Sequence, residues 1–281
     1  MLGLVVIPCR GQAARREGRS VTETVLQQVD GAVATITINR PEARNALTAQ
    51  TKAELLQALR DCSADERVRA VVLTGSGQAF CAGQDLREHA DLLAAGSDPL
   101  ATVRNHYNPL IMTIAEMPKP VIAALPGVAA GAGASLAFAC DFRVAAERTT
   151  ILLAFARVGL GADSGASWTL QRLIGTARAA EMLMLAEPID AATALEFGLL
   201  TSVVPNDELT AAAAAFGKRL ADGPTLAYAA IKESLRYAGS HSLGEALEKE
   251  ADLQTSLGAT ADHREATAAF LNKQAPAFRG H

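Results

Sequence analysis

The chain is poor in aromatic residues. Phe, Trp and Tyr make up 4% of its 281 residues, and there is one tryptophan. A core built on large rings is therefore excluded, and the abundant alanine points to close packing of small side chains. No stretch approaches the ~18 consecutive apolar residues that a helical membrane span needs. Nor is there an excess of positive charge: 26 Lys and Arg face 30 Asp and Glu, a net charge of −4. Phosphate backbones are held by concentrated basic surface, so nucleic acid is not the expected main partner. Cysteine is sparse. Cys9, Cys62, Cys81 and Cys140 have no Cys-x-x-Cys spacing, which argues against zinc, and a chain this long needs no disulfide staples. They read as buried thiols of a cytoplasmic protein. Residues 1–21 begin apolar and then turn basic at Arg10, Arg15, Arg16 and Arg19. A secretory signal has the opposite order, so this segment is expected to be a disordered extension.

What is present is a large apolar reserve, 49% of the residues, arranged as alternating strand and helix patterns. Val33–Ile38 alternates as a strand does, and Arg40-Pro41 ends it. Thr48 or Thr51 can cap the following helix, whose Leu55, Leu56 and Leu59 share one side. Val68–Leu73, Val121–Ala124 and Phe142–Ala145 read as strands, the first nearly continuous in apolar residues, as when both faces are covered. The stretch 88–97 is polar and is expected to be a mobile segment. Tyr107–Glu116 reads as a helix. The alternation predicts an α/β fold over residues 22–207. From 208 to 281 the pattern is helical only, over Glu208–Ala221, Thr225–Tyr237, the face of Leu243, Leu247 and Ala251, and Asp262–Lys273.

Two glycine-containing stretches stand about fifty residues apart. One runs Ala79-Phe80-Cys81-Ala82-Gly83-Gln84-Asp85-Leu86, the other Pro126-Gly127-Val128-Ala129-Ala130-Gly131-Ala132-Gly133-Ala134-Ser135-Leu136. Each follows an apolar run, and each offers small residues where backbone N–H groups can approach a ligand. Two converging N–H groups can hold the oxygen of an enolate or a tetrahedral intermediate. The plainer reading is that these glycines allow close strand–helix packing. A dinucleotide site fits poorly, because Leu136 stands where the third glycine of that fingerprint belongs.

In order and spacing, these stretches resemble the crotonase family, the enoyl-CoA hydratase/isomerase group. The resemblance extends from about Val25 to the C-terminus. It includes Asn39-Arg40-Pro41-Glu42-Ala43-Arg44-Asn45-Ala46-Leu47, Leu73-Thr74-Gly75, Lys119-Pro120-Val121-Ile122-Ala123-Ala124, Ala139-Cys140-Asp141, Ala269-Phe270-Leu271-Asn272-Lys273 and Pro276-Ala277-Phe278. It implies a crotonase-like spiral of strand–strand–helix repeats, a C-terminal helical region that covers the site, and a homotrimer or a hexamer of two trimers. It implies an acyl-CoA substrate, with no metal and no cofactor beyond that thioester. The oxyanion donors would be the N–H groups of Gln84 and Ala132. Substrate contacts would involve Arg44, Ala82, Gln84, Asp85, Leu86, Ala132, Phe270 and Lys273.

The acid–base residues depart from the common pattern. Hydratases of the family activate water with two glutamates, and this chain has Ser135 and Phe155 at those positions. Neither side chain can act as a base near neutral pH. A different carboxylate remains in Gly159-Leu160-Gly161-Ala162-Asp163-Ser164-Gly165-Ala166-Ser167-Trp168. The Asp-Ser-Gly-x-x-Trp pattern is most similar to that of the ring 1,2-epoxyphenylacetyl-CoA isomerases of phenylacetate breakdown. Asp163 is then expected to shuttle a proton beside the thioester. The alternative is a cap on a helix from Ser164 to Leu173. Phe138, Phe155 and Trp168 are either pocket wall or plain core, and His89, His106, His241, His263 and His281 read as surface or loop residues. The reading favoured is an isomerase. A hydratase, or a CoA-binding protein without activity, remains open.

Overall fold

The computed structural model describes residues 23–281, so the expected extension at 1–21 and Cys9 lie outside the described residues. The chain opens with a hairpin of β1 (Val25–Asp30) and β2 (Val33–Ile38). Then α1 (Ala49–Ala64) begins at Thr48, whose hydroxyl accepts from the Thr51 N–H, and it buries Leu55, Leu59 and Cys62. Next come β3 (Ala70–Gly75), β4 (Ala79–Cys81) and α2 (Leu86–Ala94). A π-helical turn, Val103–Tyr107, leads directly into α3 (Asn108–Glu116). The same grouping returns twice: β5 (Val121–Leu125), β6 (Val128–Ala130) and α4 (Ala132–Ala139), then β7 (Phe142–Ala146), β8 (Thr150–Leu152) and, after a 3-10 turn, α5 (Ala166–Leu185). The core closes with β9 (Ile189–Asp190), α6 (Ala191–Glu196) and β10 (Ser202–Val204).

Each repeat thus gives its longer strand to one sheet, ordered β1-β2-β3-β5-β7-β10, and its three-residue strand to another, ordered β4-β6-β8-β9. Pairing is parallel except at β1–β2 and β8–β9. This is the strand–strand–helix spiral expected.

The apolar runs of β3 and β5 are continuous because both faces of the larger sheet are covered. Val71, Leu73, Val121 and Ala123 face the main core with α1, α3 and α4. Ala70, Val72, Ile122 and Ala124 face the other way, where α7 (Leu209–Ala221) lays Leu209, Ala213, Leu220 and Ala221 on them. Emptying a fully buried position such as Leu59 would cost about 2–5 kcal/mol.

Beyond α7 lie α8 (Thr225–Ala238), α9 (Leu243–Gly258) and α10 (Ala261–Leu271). Lys232 ties α8 to the end of α3, its ammonium donating to the Ile114 carbonyl and to Asp141, each at 2.8 Å. The face of α9 that carries Leu243 and Leu247 stays uncovered within one chain, at 76% and 55% exposure.

One local expectation needs correction, and one alternative falls away. The polar stretch after Gln84 is a helix as far as Ala94, because the Asp85 carboxylate accepts from the Arg87 and Glu88 N–H groups and so starts α2. Asp163 does not cap α5. That helix starts at Ala166, and its N-cap is Gly165, two residues further on, with no side-chain cap.

Candidate active site

The two glycine stretches meet. Gly83 has φ +88°, and a methyl placed on it would lie 2.8 Å from the Ala130 carbonyl oxygen and 3.4 Å from the Ala132 nitrogen. Glycine is thus required for both the turn and the close approach. Gln84 follows in a parallel bridge to Leu47. The groups that bond there belong to its neighbours, with Leu47 N–H donating to Gly83 (2.7 Å) and Asp85 N–H donating to Leu47 (3.1 Å). Successive N–H groups of an extended chain point to opposite sides, so the Gln84 N–H points away from Leu47.

On the other stretch, Gly131 takes φ +51° and ψ −124°, a conformation open to glycine, and α4 opens at Ala132. The first N–H groups of a helix have no partner within it and sit at its positive end. Among the described residues neither the Gln84 nor the Ala132 N–H has an acceptor. Both residues line one cavity of about 640 Å³.

The remaining wall is largely apolar: Leu86 and Leu93 from α2, Leu100 and Val103, then Phe155, Val158 and Leu160 from the turn before α5. Among the described residues two carboxylates reach it, Asp98 and Asp163. Asp98 is exposed and holds the Leu100 N–H at 2.9 Å. Asp163 is half-buried. The Ser164 hydroxyl donates to its Oδ1 at 2.8 Å, and Oδ2 has no partner among the described residues. Burial pushes the Asp163 carboxyl above the ordinary carboxylate range, against the opposing pull of the Ser164 hydroxyl and of Lys52. Ser164 and Gly165 both adopt left-handed backbone, φ 52° and 75°. A non-glycine residue held there costs of order 1–3 kcal/mol and marks functional turns.

The two hydratase positions carry no acid. Ser135 is fully buried, its hydroxyl donating back to the Gly131 carbonyl at 3.2 Å. Phe155 is pocket wall. Among the described residues the thiols offer no nucleophile, since burial raises Cys62 to about 11 and Cys81 and Cys140 to about 12.

These features can polarise a carbonyl and move a proton beside it. The sequence profile of the enoyl-CoA hydratase/isomerase family matches residues 28–281. The chain belongs to the enoyl-CoA hydratase/isomerase family. Within it, the 1,2-epoxyphenylacetyl-CoA isomerase of Escherichia coli K12 is 39% identical over 259 residues, 92% of this chain and 99% of its own. A Rhodobacter capsulatus protein carrying an enoyl-CoA hydratase name is 42% identical over 257 residues, 92% and 98% of the two chains. A crystal structure from Mycobacterium abscessus, placed in the same hydratase/isomerase group, superposes with a TM-score of 0.88 at 44% identity, over 92% of this chain and 100% of that one.

Of the residues singled out from the sequence, Ala82, Gln84, Leu86, Ala132 and Asp163 share the cavity. Arg44, Asp85, Phe270 and Lys273 are not among its lining residues. Arg44 is exposed, and its carbonyl receives the Ala82 N–H at 3.0 Å, beside the cavity wall. The Asp85 carboxylate is occupied by the α2 cap and by Arg40 at 2.8 Å. Phe270 is 81% exposed on α10. Of the three aromatic candidates only Phe155 reaches the cavity; Phe138 is core, and Trp168 stacks under the Arg172 guanidinium at 3.8 Å.

His89, read as surface or loop, is a cavity residue on α2. Lys52, Thr102 and Tyr107 were not singled out as site residues. Lys52 sits in the first turns of a helix whose pattern reads as core and surface, and its partners come from 32 and 50 residues away. No local signal marks it.

Proposed function

We propose that this acyl-CoA enzyme of the enoyl-CoA hydratase/isomerase family is an isomerase with Asp163 as its single proton shuttle. The observation that carries the reading is a lone half-buried carboxylate in an apolar cavity, one oxygen held by Ser164 and one unpartnered. The thioester oxygen lies between the N–H groups of Gln84 and Ala132, which draw negative charge onto it. Asp163 takes a proton from a carbon conjugated with the carbonyl. The C–H electron pair passes to the thioester as an enolate, and the same carboxyl returns the proton to a different carbon. The double bond moves, and nothing is added or lost. A carboxyl raised by burial is suited to both halves of this exchange.

Hydration of a 2-enoyl-CoA is the second reading, favoured by the hydratase name on the 42% identical relative. It needs water activated by Asp163 alone, since positions 135 and 155 supply no acid. The thioester is the substrate, and neither chemistry requires a further cofactor or metal. No helix among the described residues is long and apolar enough to cross a membrane, and we place the enzyme in the cytoplasm as a homotrimer or a hexamer. Arg44, Phe270 and Lys273 contact the CoA moiety in this reading, the last two across a subunit contact. The experiment is to supply 2-enoyl-, 3-enoyl- and ring-epoxidised acyl-CoA thioesters and follow isomerisation and hydration together. Faster isomerisation supports the proposal, and hydration alone overturns it.

A further inference from the structure

Beneath the cavity lies a buried cation that the proposed chemistry does not yet use. Lys52 is 1% exposed. Its ammonium donates to the Gln84 side-chain oxygen at 2.9 Å and to the Thr102 hydroxyl at 2.6 Å, and it stands 4.9 Å from the centre of the Tyr107 ring. Among the described residues it has no ion-pair partner within 4.0 Å. Removing a charge from water without pairing it is costly, so such a group is expected where its field is used. These three side-chain contacts lead to the cavity. Gln84 carries one of the two free N–H groups, and Thr102 precedes, and Tyr107 ends, the π-helical turn that forms one wall. π-helical turns recur at functional sites.

The orientation of Gln84 is also fixed from this side. Its side-chain oxygen accepts from both Lys52 and the Tyr107 hydroxyl, the latter at 2.7 Å. The Lys52 ammonium has donors only, so the amide cannot be reversed. Its NH2 group is left without a partner among the described residues.

We propose that Lys52 is a positioning residue of the oxyanion hole: it locks Gln84 and supplies positive potential to the thioester oxygen as charge develops there. The inference rests on the reading of Gln84 and Ala132 as oxyanion donors. Charges act strongly where water is excluded, and a preorganised one favours the charged transition state over the neutral thioester. Burial draws the Lys52 ammonium below the ordinary lysine range, and the charges that oppose this are Glu88 in α2, Asp163 before α5 and Asp85 at the α2 cap. His106 and Tyr107 face it from the π-helical turn, and burial keeps that phenol neutral. The net field at the oxygen therefore depends on keeping Lys52 charged.

Two variants test this. Lys52→Met fills the space without charge or hydrogen bonds. Lys52→Gln keeps a donor toward Gln84 and Thr102 without the charge. The readouts are kcat and KM on the preferred substrate, and the infrared stretch of an isotope-labelled thioester carbonyl in bound butyryl-CoA. In the parent the stretch is expected at lower frequency than in water. Both variants should lose about tenfold or more in kcat with KM nearly unchanged, and both should return the stretch toward its value in water. If Lys52→Gln keeps the parent rate and frequency, the charge has no role and the proposal is overturned, whether or not Lys52→Met folds. If the parent itself shows no shift, the oxyanion reading of Gln84 and Ala132 fails instead.

Discussion

The Ser164 hydroxyl donates to one carboxylate oxygen of Asp163 at 2.8 Å, and it is the sole partner that carboxylate has among the described residues. Burial raises the carboxyl; the Ser164 hydrogen bond and the Lys52 charge pull it down. The hydrogen bond thus opposes burial and favours the ionised form in which Asp163 is a base.

Replacing Ser164 by Gly tests that relationship. Glycine tolerates the φ of 52° at this position, so the change isolates the hydroxyl. Without it the carboxylate form loses a donor, and the Asp163 pKa moves further up. The base must be ionised to act, so kcat/KM falls as pH drops through that pKa. The acid limb of the profile should therefore move to higher pH in Ser164→Gly, with the alkaline plateau largely kept. An unmoved limb would show that another group sets it.

A methyl at Gly83 should damage the hole. In Gly83→Ala the new carbon meets the Ala130 carbonyl at 2.8 Å, on a backbone with φ +88°. The strain should cost about 1–3 kcal/mol of stability. Turning the Gln84 N–H away should lower kcat by ~10² or more. Thermal melting and kinetics on the same preparation check both, and an unchanged kcat would separate Gln84 from the chemistry.

The uncovered apolar side chains of the C-terminal helices predict assembly. Leu243, Leu247 and Leu271 are 76%, 55% and 76% exposed in a single chain. Light scattering at micromolar concentration should give a trimer or a hexamer, and Leu243→Glu should shift the population toward smaller species. A stable monomer of the parent would contradict the assembly proposed.

Much of this was legible in the sequence, for physical reasons that vary by element. β3 and β5 are unbroken apolar runs because α7 covers their second face. Gly83 and Gly131 stand out because no other residue fits their backbone. The strands β4, β6 and β8 have three residues each, too short to carry a period. Helix α2 was obscured by its charged surface, although Asp85 is its start signal. For Asp163 the sequence left cap and base open, and the geometry removes the cap, because the N-cap of α5 is Gly165. Lys52 was invisible, since its meaning lies in contacts to Gln84 and Thr102 that no local pattern encodes.

Asp163→Asn is the most direct test of the proton-shuttle account. Asparagine keeps the size of the side chain and an oxygen for Ser164, but it cannot take a proton. A carboxyl whose pKa is raised by folding favours the folded state below its ordinary pKa, and that benefit is lost as pH rises through the raised value. Near neutral pH the ionised group is therefore a burden, and the variant should melt at or above the parent temperature. Acyl-CoA affinity should change little, because both N–H donors remain. The measurement is turnover on the preferred acyl-CoA, with isomerisation and hydration followed together. The account predicts a fall of ~10² or more, the usual scale for a general acid–base group, in a folded, ligand-binding protein. Turnover equal to the parent's would contradict it.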